Sequence, residues 1–289
     1  MSSPLFAAVD CAYEAELAAG LDCRIGWLLR QTAMTALSRR ALLGSLGVAP
    51  GSAVLDVGTG FGCMAIEIAA MSQVSAVGVD VDVEVLEAAR RIAGRVRADG
   101  AFADGSTVDF CCGDALDLPV EDGSFDVVTS RFLFQYMSDP QMLADELARV
   151  VRPGGLVCVV DVDDGLSVSE PELSPAFARL VAAFRAVQEA AGGDRRVGRR
   201  LARMVDAAGF DVVAVLVLPS AAYGPSLPSD VGRQMLLERF RLCQGEMVAS
   251  GVVSEDQFDA DMDAAAAEIV HGRCQIEGHL AVVGRRRVN

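Results

Sequence analysis

From residue 12 to residue 47 the chain is rich in Ala and Leu at helical spacing, and Ala-Pro-Gly-Ser at 49–52 punctuates the end of that run. The pattern then changes. Short apolar runs at 53–57, 74–80, 107–112, 125–130 and 156–162 read as strands, and amphipathic runs at 62–71, 82–97 and 139–150 read as helices. Arg-Pro-Gly-Gly at 152–155 predicts a break ahead of the fifth strand. Helices are expected at 174–191 and 197–208, and two last strands at 209–218 and 276–286. The stretch between those strands is too long for a hairpin and turns helical from about 229, so it reads as an insertion over the sheet edge. Apolar strands alternating with amphipathic helices imply a doubly wound α/β fold, a parallel sheet covered on both faces. The expected organisation is a helical cap at 1–50, a core at 51–218, a helical lid at 219–274 and a last core strand at 275–289.

Composition narrows the partners. The 289 residues are 52% hydrophobic, enough for one large domain with appendages, and the net charge is −15. All 25 basic residues are arginine. So acidic a chain opposes a phosphate-rich partner, and nucleic acid is not expected as a substrate. Arginines do cluster at 195, 196, 199, 200 and 203, but helical spacing spreads them over more than one face. No run is apolar and long enough to span a membrane, and the N-terminus lacks the basic and apolar regions of a signal peptide. The eight cysteines form no C-x-x-C pair and mostly lie in apolar patterns, so they read as free thiols in a cytoplasmic protein, and no metal site is expected. A homo-oligomer remains open.

The chemistry gathers at strand ends. Gly58, Gly60 and Gly62 follow the first strand at spacings of two and open a helix, a turn that lets a ligand approach the backbone closely. Asp56 stands just before them, where a carboxylate would repel a pyrophosphate, and the spacing is not that of a dinucleotide loop. Asp80 ends the second strand, Asp114 follows the third in Cys-Gly-Asp-Ala-Leu-Asp-Leu-Pro, and Ser130 and Arg131 close the fourth. Ligands of open parallel sheets bind beyond such ends, at the switch point of the strand order.

These residues resemble the class I S-adenosylmethionine-dependent methyltransferases, closely over about 52–164 and loosely over 197–218 and 276–286. The resemblance implies a Rossmann-like seven-stranded sheet with its last strand antiparallel. It implies S-adenosyl-L-methionine as cofactor, with Asp56, Gly58, Thr59, Gly60 and Gly62 along its methionine and ribose and negative charge from Asp56 toward its ammonium. Asp80 would hold the ribose hydroxyls, Val81 would flank the adenine, and Asp114 and Ala115 would meet the adenine edge. Ser130 and Arg131 would lie near the methionine carboxylate or the acceptor. Plainer roles stand beside these: a helix N-cap for Asp80, a turn for Asp114, a surface ion pair for Arg131.

Methyl transfer from a sulfonium needs mainly geometry and exclusion of water, so no fixed catalytic residue is implied. His271, His279 and Tyr13 are candidates for a base or acceptor contact, and Asp-Val-Asp-Asp at 161–164 lacks the further ligands that a metal site there would need. Apolar positions in the two helical segments, among them Trp27, Met235, Phe240, Met247 and Phe258, either wall a pocket or form the helices' own core. The expected acceptor is a small, largely apolar metabolite of specialised or quinone-type biosynthesis, methylated on oxygen, nitrogen or carbon. The alternative is a protein of the same fold that uses the cofactor for a cyclase, decarboxylase or hydroxylase reaction.

Overall fold

The computed structural model describes residues 4–21, 23–223, 227–267 and 274–288. Three helices open the chain: α1 (Ala7–Ala18), α2 (Cys23–Met34) and α3 (Ala36–Ser45). The sequence pattern merged them into one segment. The breaks have local causes: Gly20 takes a φ of +85° after α1, and the Thr35 hydroxyl donates back to the Gln31 carbonyl at 2.8 Å. The alternating core follows: β1 (Ser52–Val57), α4 (Cys63–Met71), β2 (Val74–Asp80), α5 (Val83–Ala98), β3 (Thr107–Cys112), β4 (Phe125–Arg131), α6 (Pro140–Val150) and β5 (Val151–Val162). Asp82 caps α5 by accepting from the Glu84 and Val85 amides, and Asp139 caps α6 with Pro140 at its first turn.

The sheet runs β3-β2-β1-β4-β5, all parallel, so the order reverses between β1 and β4. Beyond β5 lies β8 (Cys274–Arg286), antiparallel to it, and β8 pairs in turn with β7 (Phe210–Tyr223). The expected antiparallel last strand is therefore present. An eighth, short strand, β6 (Val168–Glu170), pairs with the start of β8 and was not read from the sequence. The break expected at 152–155 is instead part of β5, which starts directly after α6 and absorbs Pro153 and Gly154 where the β4 register shifts. Gly154, at a φ of +79°, supplies that irregularity.

Two apolar layers sandwich the sheet. On one face Leu143, Leu147, Leu201 and Met204 of α6 and α8 (Leu201–Ala207) pack on Leu55, Val128 and Val159. On the other, α4 and α5 share a single core with α1–α3, to which Val9, Tyr13 and Leu29 contribute. The bidentate pair of Arg39 with Glu67, both oxygens at 2.7 Å, joins α3 to α4 inside this core. A third cluster stands apart. Phe177, Leu180 and Phe184 of α7 (Pro175–Ala190) pack with Phe240, Met247, Phe258 and Met262 of α9 (Leu227–Leu242), α10 (Gln244–Ala249) and α11 (Glu255–Ala267). The insertion after β7 thus builds its core with a helix from before β7.

Candidate cofactor and acceptor site

The glycine loop between β1 and α4 lies at the strand-order reversal. Gly58, Gly60 and Gly62 have φ of +68°, +53° and +77°, so each uses the freedom of its missing Cβ. Their surroundings differ. A Cβ on Gly58 would meet the Leu133 side chain at 2.8 Å and one on Gly62 would meet Phe110 at 2.6 Å, whereas one on Gly60 would meet nothing within 4 Å. The loop is packed from behind at its ends and open at its centre.

Asp56 lies behind this loop and is 1% exposed. One carboxylate oxygen accepts the Thr59 hydroxyl at 2.6 Å and the other the Thr129 hydroxyl at 2.8 Å, Thr129 being its register partner on β4. Burial pushes the Asp56 carboxyl up to about 6, against the pull of those hydroxyls. Its oxygens thus tie β1 to the loop and to β4. Asp80 stands at the open side. Its carboxylate accepts the Gly60 amide at 2.8 Å and the Asp82 amide at 3.1 Å, and Asp82 rather than Asp80 caps α5. Val81 beside it is 74% exposed, a large apolar side chain turned to solvent next to a carboxylate. The Gly113 amide donates to the Asp80 carbonyl at 3.0 Å, which brings the next turn alongside. There Asp114 accepts the Leu116 amide at 2.9 Å, the turn-forming role, and Ala115 is half-buried.

Ser130 and Arg131 part company. Thr129 and Arg131 share one face of β4 and Ser130 takes the other, where its hydroxyl is buried without a hydrogen-bond partner. Arg131 forms no ion pair with any described residue. It donates from Nη1 to the Thr35 hydroxyl at 3.1 Å, reaches Thr32 and the Cys63 sulfur from Nη2 at 3.5 and 3.6 Å, and lies 4.3 Å from the Phe132 ring centroid. Phe132 is the one non-glycine residue at positive φ, +60°, among the described residues. Its ring meets that of His279 at 4.7 Å. Thr35, Ser38, Arg39, Leu42, Arg131, Phe132, Val160, Leu218 and His279 line a small cavity of about 10 Å³, room for roughly one water.

His279 lies on β8, 7% exposed, and burial with Arg131 and Arg195 nearby pushes its imidazole down to about 4. It is neutral at neutral pH. Tyr13 is fully buried in the α1–α5 core, its hydroxyl without a partner and its pKa raised by burial, so it faces no opening. His271 lies outside the described residues. The carboxylates of the 161–164 run are taken by the chain itself. Asp161 accepts the Gln135 and Val162 amides, Asp163 takes Arg199 at 2.7 and 2.6 Å, and Asp164 takes Arg185 and Arg195. Sequence reasoning missed Thr129, Leu133, Phe110 and the Thr32–Thr35 pair. Only strand register and helix placement bring them to the site.

Residues 55–159 match the family described as methyltransferase domain. A 37.1 kDa protein of unassigned function from a Streptomyces fradiae transposon is 32% identical over 63% of this chain and 50% of its own length. The demethylmenaquinone methyltransferase of Renibacterium salmoninarum is 33% identical over 43% of this chain and 46% of its own. The ajmaline N-methyltransferase of Rauvolfia serpentina is 32% identical over 44% and 42%. The chain thus spans about half the length of the curated relatives it matches, or less. Among solved structures, a geranyl diphosphate methyltransferase superposes with a TM-score of 0.52 at 18% identity, over 87% of this chain and 78% of that one. The [4+2]-cyclase SpnF gives 0.52 at 21%, over 86% and 81%. These two likenesses concern the fold. The strand order, the glycine loop and the family match together make residues 55–159 a class I S-adenosylmethionine-dependent methyltransferase domain.

Proposed function

We propose that this chain is a methyltransferase that moves the methyl group of S-adenosyl-L-methionine to a small, largely apolar metabolite. The observation that carries the reading is the open centre of the glycine loop beside Asp80: Gly60 has free space where a Cβ would stand, and the carboxylate that holds its amide is only part-buried. The residues fit the cofactor. Gly58, Thr59, Gly60 and Gly62 would receive its amino-acid part, with Asp56 fixing the loop and Ser130 closing the adjoining strand. Asp80 keeps lone pairs for two ribose hydroxyls, Val81 offers an apolar face to adenine, and Asp114 and Ala115 lie at the ring's edge. Bound there, the cofactor supplies a methyl on a sulfonium that leaves as a neutral thioether.

The chain's own part is to position and to exclude water. The acceptor would sit between the open side of the glycine loop and the helices α7 and α9–α11, which would be its lid. Neutral His279, depressed to about 4, is too weak a base to drive proton removal at neutral pH, so it would serve an acceptor as a hydrogen-bond partner. The charge of −15 speaks against nucleic acid as acceptor. No described helix is long and apolar enough to cross a membrane, in keeping with a cytoplasmic setting.

Titration calorimetry tests the cofactor. S-adenosylhomocysteine should bind one-to-one, and Asp80→Ala should weaken it by about 1.5–3 kcal/mol through loss of charged hydrogen bonds. Affinity for NAD with none for S-adenosylhomocysteine would overturn the reading. Formation of S-adenosylhomocysteine with one methyl gained by the acceptor separates methyl transfer from a cyclase-type reaction.

A further inference from the structure

The strand β7 forms an outer edge of the sheet and pairs, among the described residues, only with β8. A bulge between Val212 and Ala214 divides it. Phe210 and Val212 before the bulge pack in the layer of α6 and α8, whereas Ala214 after it packs in the layer of α4 and α5. Alternation from Ala214 onward puts Val215 and Val217 on the α8 side, opposite Val282 and Leu280 of β8. Val282 is covered, but Val213, Val215 and Val217 are 54%, 52% and 56% exposed, and Leu216 on the reverse face is 38% exposed. Edge strands are commonly guarded by charged side chains, prolines or bulges. Residues 212–223 contain no charged residue, and the bulge and Pro219 stand at the two ends of residues 214–218 and interrupt nothing between them. That short run offers unpaired main-chain groups along its edge and aliphatic side chains on both faces.

We propose that the run docks a second copy of this chain, paired antiparallel through residues 214–218 about a two-fold axis at Leu216. Val-Leu-Val at 215–217 reads the same in both directions, so the run is complementary to itself. Leu216 meets the partner's Leu216 on one face, and Val215 meets the partner's Val217 on the other. A net charge of −15 on each chain opposes the approach of two copies, and an uncharged edge is where they meet at least cost. The two sheets become one across the axis, and the exposed valines are covered. The bulge and Pro219 limit the pairing to this segment.

Sedimentation equilibrium of the full chain from about 1 to about 200 µM should show a monomer–dimer equilibrium. It should tighten as salt is raised, because the repulsion of like charges is screened while apolar burial is not. Val217→Lys enters a two-fold interface twice and should raise the dissociation constant about 100-fold, roughly tenfold for each copy. Val215→Glu should act likewise, and Val217→Thr, which keeps the branched shape, should cost less. The register has its own test. When the Val215→Glu and Val217→Lys proteins are mixed, the carboxylate of one faces the ammonium of the other, and valine meets valine at the second position. The mixture should associate about fivefold or more tightly than either variant alone. Leu216→Lys, which brings two like charges together on the axis, keeps the test open if one of these variants fails to fold. A chain that stays monomeric over the whole range, as it does if the edge serves a different protein, overturns the proposal. So does a dimer that survives both Val217→Lys and Leu216→Lys, or a mixture that associates no better than its components.

Discussion

A buried carboxylate at the foot of the glycine loop ties the stability of this protein to pH. Asp56 titrates at about 6 in the fold, above the ordinary value of 3.8, chiefly because burial disfavours its charged form. A raised carboxyl pKa means the folded state holds its proton longer than the unfolded chain. The associated stability is complete below about 3.8 and is lost as pH rises through about 6. Asp56→Asn removes this titration while keeping the shape, so the difference in unfolding free energy between variant and parent should change by roughly 3 kcal/mol across that window. Urea unfolding at about pH 4 and about pH 7 checks it, and a constant difference would place the charge of Asp56 elsewhere. His279 contributes with the opposite sign: depressed to about 4, it favours the fold at neutral pH and loses that contribution as pH falls from about 6.5 through 4. The sequence made Asp56, Asp80 and the three glycines legible because their chemistry is local, a strand end followed by a turn. It could not reveal that Asp56 bonds Thr129, which comes from the register of β1 on β4, or that Arg131 packs against Thr32, Thr35 and Cys63, which depends on where α2, α3 and α4 dock.

At the scale of elements, hydrophobic period located the parallel strands and α4, α5 and α6 well, since each buries a face with a simple repeat. It failed where tertiary pairing decides. β7 runs on to Tyr223 because β8 pairs with it along its whole length, and β6 exists only because β8 offers an edge. Apolar positions in the insertion looked equally suited to a pocket wall or an internal core. Phe240, Met247 and Phe258 are at most 1% exposed and pack with α7, so they are core. Phe240 meets Phe177 and Phe184 at ring separations of 5.9 and 5.7 Å. Truncation to Ala should therefore cost the helical unit about 3–5 kcal/mol. Hydrogen exchange should show the loss in α7 and α9–α11, while β1, β4 and β5 keep their protection and cofactor affinity is preserved. Equal loss in the sheet would mean that the unit and the sheet form one cooperative block.

Over the whole molecule, the helical unit with its own core meets the sheet domain, among the described residues, through Arg185 of α7, which donates to Asp164 at 2.7 Å, and through α9. Arg239 of α9 lies 3.8 Å from the Trp27 ring on α2 and 4.6 Å from Phe184 on α7, and Arg30 reaches Glu238 at 3.5 Å between exposed side chains. An exposed ion pair contributes on the order of 0–1 kcal/mol and a cation–π contact at a part-exposed site about the same. These described contacts of α9 are weak relative to the unit's internal packing, as a lid over a reaction that excludes water would require. Trp27 is the only tryptophan in the chain, so its emission reports on this junction alone. S-adenosylhomocysteine together with an acceptor should shift the emission as the junction closes. Arg239→Gln should abolish most of that shift, lower the free energy at which α9 exchanges its amides, and leave β1 and β4 unchanged. The variant should lose turnover more than cofactor affinity, because the cofactor residues lie on the sheet side of the junction. Emission that ignores ligands, with α9 protected as strongly as the central strands in the free protein, would show a fixed wall in place of a lid.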